Sequence, residues 1–199
     1  AVILVLGLAV AVLRSLPGPV FTPVRLLAAA YTDFFRGVPT ILVIALLGYG
    51  MPALRLQGVP NSDFFWAIVA LSLVYGAYVA EVYRAGIQSI HPSQMAAARS
   101  LGLSRWQATR HVVLPQAVRR VIPPLLNDFI GLQKDTALVA FLGVIEALRQ
   151  ATILQQSIFN FTPYVALAAV FVIITIPQAR FVDWLVERDA GRRRAGGGA

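Results

Sequence analysis

The sequence predicts an all-α fold: a polytopic transmembrane helical bundle of about five spans, with a short helix in one cytoplasmic loop. Three observations support this prediction. Hydrophobic residues make up 58% of the 199-residue chain and charged residues 13%, whereas a soluble domain carries about 25% charged residues. Apolar runs of membrane-spanning length alternate with short arginine-containing stretches. One of these stretches has the composition of a helix rather than that of a flexible loop.

Five apolar segments are visible along the chain. The first, residues 1–13, is shorter than the ~20 residues that one crossing needs, and it begins without a methionine, so we expect its start to be missing. The other four segments are residues 38–54, 64–83, 122–145 and 164–182. Proline lacks the N–H that a helix interior uses, so prolines are expected at or near helix ends. These prolines are Pro52, Pro123, Pro124, Pro163 and Pro177.

The arginines predict the orientation. The stretches 14–36, 84–120 and 180–199 hold three, six and five arginines, whereas the two other connections hold one each. Because cytoplasmic loops are rich in Lys and Arg, the N-terminus is predicted outside and the C-terminus inside. Residues 1–185 are then the membrane domain, and residues 186–199 are a basic, disordered cytoplasmic tail. This topology also accounts for the net charge of +8 without nucleic-acid binding.

The loop of residues 91–116 is predicted to be helix, corner, helix. Its alanine-rich first part is a strong helix former, and Gly102 suits the left-handed conformation that follows a helix. Ser104 and Gln107 have the spacing of a capping box that starts a second helix. Pro115 is expected to interrupt that second helix.

A short amphipathic helix in this position has two possible partners, lipid headgroups or a groove of another protein. The alanine face is too small for deep insertion into lipid, which favours a protein groove. Trp106 is expected to pack the second helix of the loop against the bundle. Trp66 and Trp184, near the ends of spans, are typical of anchors at the membrane interface.

Four ordered stretches of the sequence are similar to a known family: residues 35–39 (FRGVP), 77–87 (AYVAEVYRAGI), 114–117 (LPQA) and 134–138 (KDTAL). The loop between the second and third stretches follows the EAA-loop pattern of bacterial ABC importer permeases. The residues on that pattern are Ala97, Ala98, Gly102, Val112, Leu114 and Pro115. The chain therefore resembles permease subunits of binding-protein-dependent importers, in particular those for polar amino acids.

This resemblance implies that the loop is a coupling helix that inserts into a cleft of a separate ATPase subunit. The residues implied for coupling are Ala96, Ala97, Ala98, Gly102, Leu103, Leu114 and Pro115. The sequence departs from the family pattern at Ala96, where the family has glutamate, and at Ser93, where it usually has glycine. Alanine is the better helix former, so the loop can keep its shape while a charged contact with the ATPase is lost.

Charged residues within the fourth span form a polar stripe. Asn127, Asp128, Lys134 and Asp135 fall within an arc of about 120° on a helix of 3.6 residues per turn, with Gly131 at its centre. None of the charges has an opposite partner three or four residues away. Two interpretations stay open: the stripe lines or gates the substrate pathway, or it forms fixed ion pairs with other helices.

Glu81, at the cytoplasmic end of the third span, is expected to be a structural or gating charge. Arg36 is expected to open the second span, with lipid phosphate as a possible contact. His91 and His111 lie 20 residues apart in the loop without acidic neighbours, so no metal site is predicted. No catalytic residue is predicted either. The only lysine is Lys134, so a Walker-type phosphate loop is excluded.

The resemblance implies a multi-pass protein of the bacterial cytoplasmic membrane with several partners. These are an ABC ATPase subunit that carries ATP and Mg²⁺, a second permease of the same or a homologous chain, an extracytoplasmic solute-binding protein, membrane lipid, and a small amino acid as cargo. No cofactor is expected in this chain itself. One alternative is an importer of another small solute. An alternative from a different class is an ion-coupled secondary transporter, but no repeated halves are visible. A non-transporting membrane scaffold would leave the polar stripe unexplained.

Overall fold

The structure is a computed structural model that describes residues 1–196. In this range the regular elements are all helical, as the sequence predicts. The α-helices are α1 Val2–Arg14, α2 Thr22–Gly37, α3 Thr40–Ala53, α4 Asp63–Gln88, α5 Pro92–Ser100, α6 Arg105–Ala108, α7 Leu114–Asp135, α8 Ala147–Ile158 and α9 Thr162–Gly196. Two 3₁₀ segments and one π-helical turn connect them: Pro19–Phe21, Thr136–Leu142 and Thr109–Val113.

Two helices are individually long and apolar enough to cross a membrane: α4 and the part of α9 from Thr162 to Asp189. Up to four spans result if two further helix pairs each count as one broken span. The first pair is Pro19–Gly37 with α3, and the second is Arg105–Leu142 with α8. The shorter apolar helix α1 falls below the length of a full crossing. The composition of these helices therefore confirms the membrane fold.

The chain divides into two compact units, of which the first contains residues 1–36 and 75–128. Its core is a cluster of small and branched side chains at which α1, α2 and α4 meet: Val10, Ala28 and Ala80, with Leu6 and Tyr31 packed against them. Gly76 allows this approach, because a Cβ at that position would lie 2.6 Å from the Leu6 side chain. Small residues let helices pack closely where no hydrophobic driving force between them exists.

The second unit contains residues 37–74 and the described chain from Phe129 onward. Helix α3 packs against the second 3₁₀ segment. The Leu142 side chain fills the space beside Gly48 that a Cβ would need, and the Tyr49 hydroxyl donates a hydrogen bond to the Phe141 carbonyl. Helices α8 and α9 are joined by a hydrogen bond of 3.1 Å from the Tyr164 hydroxyl to Thr152 Oγ1. These contacts hold α3 to the 3₁₀ segment and α8 to α9.

Two helices were not predicted. Helix α2 occupies most of the stretch assigned to a basic cytoplasmic connection, and α8 occupies a stretch assigned to an outward loop. Both are amphipathic and carry fewer apolar residues than a continuous span, so a hydropathy criterion does not detect them. The predicted boundaries of the second and third spans agree with α3 and α4 within a few residues.

The predicted proline positions are partly wrong. Pro123 and Pro124 lie inside α7, and Pro177 lies inside α9. Membrane helices tolerate interior prolines because neighbouring groups and local adjustments satisfy the carbonyls that are freed. The predicted disorder of the tail also differs from the structure, since α9 continues to Gly196. Arginine and alanine favour helix, and a preformed helix needs no new nucleus. Residues 197–199 lie outside the described residues.

Candidate functional site

The first candidate site is the loop between α4 and α7, which folds as two short helices. His91 caps the first of them, because its Nδ1 accepts the Ser93 backbone N–H at 3.2 Å. Pro92 follows at the first helical position, where its missing N–H has no consequence. No role was predicted for His91, although a histidine before proline at a helix start is a signal that could have identified this cap.

The corner between the two helices has the predicted geometry. Gly102 has φ +83°, in the left-handed region, and the Leu103 N–H bonds the Ala98 carbonyl at 3.2 Å. Ser104 Oγ accepts the Gln107 backbone N–H at 3.2 Å, and the Gln107 side chain accepts the Ser104 N–H at 2.8 Å. The capping box is therefore confirmed, and it fixes the angle at which the second helix leaves the corner.

This loop exposes apolar side chains on its outer face. Leu101 is 83% exposed and Trp106 is 69% exposed, so the expected packing of Trp106 against the bundle is wrong. Ala108 is completely buried and Ala98 is 5% exposed, and the two short helices contact each other and the π turn that follows. The small side chains are thus the buried ones of this loop, and the two large ones lie at the surface.

Pro115 does not interrupt the helix in the predicted way. The π turn Thr109–Val113 lies just before the proline and lets the helix continue. In this turn, the Leu114 N–H donates to the Thr109 carbonyl five residues back. Pro115 then sits in the first turn of α7, where its N–H is not needed. Gln116 Nε2 donates to Gln94 Oε1 at 3.2 Å. The second helix of the loop thus continues into α7, and the loop is held to that helix by a side-chain hydrogen bond.

The polar stripe lies on α7, as predicted. Asn127 and Asp128 belong to the first unit, whereas Lys134 and Asp135 belong to the second. Among the residues that the structure describes, the three charged members make no ion pair. Asp128 Oδ2 is buried without a hydrogen-bond partner. Within the described chain, no ion pair therefore neutralises these charges.

Glu81 is the centre of an arginine cluster in the first unit. Glu81 Oε2 lies 3.1 Å from Arg14 Nη1 and 3.0 Å from Arg84 Nε, and Glu81 Oε1 accepts Arg84 Nη2. Arg14 Nη1 also donates to Thr32 Oγ1 at 2.8 Å, and Thr32 is completely buried. The carboxylate thereby joins α1 to α4, and Arg14 extends the connection to α2.

Arg36 is the third cation near Glu81 and is held differently. Its Nη1 lies 3.9 Å from Glu81 Oε2, beyond hydrogen-bond distance, and its guanidinium carbon lies 5.8 Å from the centre of the Tyr78 ring. The Arg36 side chain is 40% exposed, against 18% for Arg14. Glu81 was predicted to be a structural or gating charge, but its arginine partners were not predicted. Of these, only Arg84, three residues away, was detectable from spacing.

Comparison with known proteins decides the family. The family described as "Binding-protein-dependent transport system inner membrane component" matches residues 3–189. The chain belongs to this family. The predicted resemblance to ABC importer permeases is therefore confirmed, and the chain is a transport permease rather than a non-transporting scaffold.

Individual relatives cover most of this permease. The probable glutamine ABC transporter permease protein GlnM of Bacillus subtilis (strain 168) is 38% identical over 187 residues, which are 92% of this chain and 83% of that protein. The probable amino-acid permease protein YxeN of the same organism is 39% identical over 163 residues, 81% of this chain and 72% of that protein. A crystal structure described as an amino acid ABC transporter with histidines is 32% identical, with a TM-score of 0.83 over 94% of this chain and 85% of that one.

No group of three or more His, Cys, Asp or Glu side chains that could hold a metal ion is found among residues 1–196 of the permease. His91 serves as a helix cap, and His111 lies exposed in the π turn. The chemistry that the described residues offer is therefore that of charge and shape: a rigid loop with exposed apolar side chains, and intramembrane charges of which some are paired and others are not.

Proposed function

We propose that this permease translocates polar amino acids across the bacterial cytoplasmic membrane by alternating access, driven by a separate ATPase subunit. The names of the relatives support the cargo class, since one is named for glutamine and another for amino acids. Intramembrane charges support it too, because a polar amino acid carries both a carboxylate and an ammonium group and needs charged or polar groups along its path.

The observation that carries the proposal is the docking loop, residues 91–116. Its corner and cap make it rigid, yet Leu101 and Trp106 are exposed. Tryptophan is enriched among the residues that dominate protein interfaces, and neighbouring exposed apolar side chains mark sites of contact with another protein. We assign the ATPase as the partner, and a groove of that subunit as the surface that covers these side chains. The coupling residues are Ala96, Ala97, Ala98, Gly102, Leu103, Leu114 and Pro115.

Further partners follow from the same proposal. ATP and Mg²⁺ bind to the ATPase subunit. A second permease, identical or homologous, completes the pathway, because a single chain with so few spans cannot enclose a path with two openings. Only 6% of the most apolar window of α9 is buried, which leaves a surface for lipid or for that second permease. A binding protein delivers cargo on the outer side, where the N-terminus lies, and the C-terminus lies inside.

The substrate pathway includes the polar stripe, namely Asn127, Asp128, Lys134 and Asp135. Support comes from their lack of ion-pair partners within the described chain, since intramembrane charges that are not paired usually serve ions, water or substrate. Glu81 has the opposite character and is assigned a structural role with its arginines.

Uptake measurements test the proposal. The permease is purified with the ATPase and binding protein encoded by neighbouring genes and reconstituted in proteoliposomes with ATP inside or outside. Uptake of radiolabelled L-glutamine or L-arginine should require ATP on the ATPase side and persist when an ionophore removes ion gradients. Uptake that ignores ATP and collapses with the ionophore would establish the secondary-transporter alternative instead. A complex with catalytically inactive ATPase is the matched control.

A further inference from the structure

The connection between α3 and α4 encloses a hollow of about 400 Å³, a volume in the range of small-molecule sites. Two of its lining residues have polar side chains, Arg55 and Asn61. The other walls are apolar and include Met51, Pro52, Leu56 and Val59. Arg55 is thus the only charged residue among the lining residues that the structure describes. All of these residues belong to the second unit.

The backbone at Arg55 is held in an unusual conformation. Its φ of +48° lies in the left-handed region, where a residue with a Cβ is strained. A hydrogen bond of 3.2 Å from the Arg55 N–H to the Pro52 carbonyl closes the turn at the end of α3. Non-glycine residues persist in this region where the surrounding structure holds them, and such positions cluster at sites that bind ligands.

The Arg55 guanidinium is available to an anion. Within residues 1–196, its side chain makes neither an ion pair nor a hydrogen bond. A guanidinium has five N–H donors in a planar fork, and this fork matches the oxygens of a phosphate with two parallel hydrogen bonds. The hollow therefore presents an anion-binding group beside apolar walls.

Trp66 places the hollow at the membrane surface. Its indole N–H donates to the carbonyl of Pro60 at 2.9 Å, and Pro60 lines the hollow. Tryptophan and tyrosine are enriched at membrane–water interfaces. On α4, Trp66 and Tyr83 are 17 residues apart, or roughly 26 Å along the helix, which is close to the ~30 Å of the hydrocarbon core. The two aromatic residues thus mark the two interfaces of this span, and the hollow lies at the headgroup level of one of them.

Two exposed leucines favour a lipid over a water-soluble partner. Leu54 and Leu56 flank Arg55 in the sequence and are 62% and 50% exposed. At the headgroup level, apolar side chains beside a cation match the two chemistries of a phospholipid, its acyl chains and its phosphate. An acidic side chain of a water-soluble protein would reach this depth only by displacing lipid from both leucines.

The composition of the hollow also selects the headgroup. A zwitterionic headgroup carries a cation, for which the described lining residues offer no acidic side chain. The headgroup of phosphatidylglycerol instead has a phosphate that suits Arg55 and hydroxyls that suit the side-chain amide of Asn61, which donates and accepts hydrogen bonds. An anionic glycerol headgroup therefore satisfies both polar side chains of the hollow.

We propose that this hollow binds an anionic phospholipid, with the phosphate on Arg55 and the glycerol hydroxyls on Asn61. The apolar walls and the flanking leucines contact the first part of an acyl chain. The bound lipid thereby holds the turn between α3 and α4 at the membrane surface. This site goes beyond the proposed transport function and does not depend on it, because it requires only the membrane fold.

Native mass spectrometry of the delipidated permease–ATPase complex tests the proposal. The probes are phosphatidylglycerol, phosphatidic acid and phosphatidylcholine with identical acyl chains, titrated in detergent. The wild-type complex should bind phosphatidylglycerol about tenfold more tightly than phosphatidylcholine, whose choline cation is repelled by Arg55 and offers Asn61 no hydroxyl. Equal binding of these two lipids would overturn the proposal, even if no variant could be purified.

Three variants separate the contacts. Arg55→Gln removes the charge but keeps the Cβ, so the backbone strain stays the same, and its affinity for phosphatidylglycerol should fall about tenfold to hundredfold, the range for a hydrogen bond to a charged group. Asn61→Ala should weaken phosphatidylglycerol but leave phosphatidic acid, which has no glycerol headgroup, unchanged. Arg149→Gln is the matched control, because it removes one arginine of α8 that does not line the hollow, and it should bind all three lipids as the wild type does.

Competition identifies the source of the phosphate. Inorganic phosphate and glycerol 3-phosphate at millimolar concentration should not displace phosphatidylglycerol, since neither has an acyl chain. Displacement by either compound would overturn the lipid assignment and leave a site for soluble phosphate. Unchanged lipid binding in Arg55→Gln would also overturn it, and a simultaneous loss of affinity for the solute-binding protein would assign the hollow to that protein instead.

Discussion

Two groups of intramembrane charges in this permease are arranged in opposite ways. Around Glu81, Arg14 and Arg84 donate hydrogen bonds at 3.1 Å or less, and the cluster connects helices of one unit. On α7, Asp128, Lys134 and Asp135 make no ion pair within residues 1–196. Charges in a membrane are costly in both cases. This difference supports our proposal that the first group stabilises the helical packing and that the second group interacts with the substrate.

The largest effect is expected for Glu81→Gln. The variant keeps the shape of the side chain but leaves Arg14 and Arg84, 18% and 29% exposed, without their counter-charge. Removing one partner of a buried pair costs about 3–5 kcal/mol, and partial exposure reduces this to about 2–4 kcal/mol. Thermal unfolding of the purified complex in detergent measures the loss.

Glu187→Gln is the matched control for this prediction, because Glu187 is exposed and makes no ion pair among the described residues. Normal stability of Glu81→Gln with loss of uptake would break the comparison, since Glu81 would then act as a gate rather than as a structural tie.

The next largest effect is expected for Lys134→Ala and Asp135→Ala, on transport instead of stability. Neither side chain has an ion-pair partner in the described chain, so its removal leaves no buried charge unpaired. We expect uptake to fall about tenfold or more, which corresponds to about 1.4 kcal/mol, while the yield of assembled complex stays normal. Uptake in proteoliposomes and size-exclusion chromatography measure the two quantities.

Gln133→Ala serves as the control for these variants, because Gln133 is adjacent to Lys134 in sequence but points away from the stripe. Loss of assembly in Lys134→Ala or Asp135→Ala would show that the stripe is structural as well, and the contrast with the Glu81 cluster would disappear.

A smaller effect is expected in the docking loop, which contrasts with both groups because its contact surface is apolar. Leu101→Ser removes a side chain that is 83% exposed, so the stability of the permease should not change. Affinity for the purified ATPase subunit should fall about tenfold, since burying a leucine side chain contributes roughly 1.5–3 kcal/mol. Val20→Ser, at an exposed residue outside the loop (82%), should bind the ATPase normally. Unchanged binding of Leu101→Ser would remove this residue from the interface.

The smallest effect is expected for Ala96→Glu. Ala96 is exposed on α5, so glutamate fits without burial, and the shape of the loop is already fixed by Gly102 and the capping box. Uptake should stay unchanged or rise slightly if the ATPase offers a positive group. A marked loss of uptake would mean that the ATPase of this system requires a neutral residue there, and that charge matters at the docking loop as it does within the membrane.

Local chemistry explains where the sequence predictions succeeded in the docking loop. Gly102 and the pair Ser104 and Gln107 act through backbone conformation and hydrogen bonds over three residues, which a sequence pattern contains in full. The prediction for Trp106 failed because exposure depends on tertiary packing, which leaves Trp106 69% exposed and buries Ala108. Pro115 failed because a π turn, which has no sequence signal of its own, can absorb a proline.

Among the charged groups, too, local features were predictable from the sequence and features set by tertiary packing were not. The stripe on α7 was predictable, because positions on one helix follow from 3.6 residues per turn. The partners of Glu81 were not, since Arg14 is 67 residues away in sequence and reaches Glu81 only after α1 and α4 pack together. Arg36 was expected to open the second span, whereas the structure places it in the last turn of α2, and its position beside Glu81 and Tyr78 depends on tertiary packing.

The sequence by itself determined the all-helical membrane fold, the resemblance to ABC importer permeases and the glycine corner of the docking loop. Each of these depends on composition or on residues within a few positions of one another. Only the tertiary structure decided which intramembrane charges are paired, which loop side chains face outward, and that Glu81 joins α1 to α4. These properties depend on distances between residues that are remote in sequence, and such distances are set by the packing of whole helices.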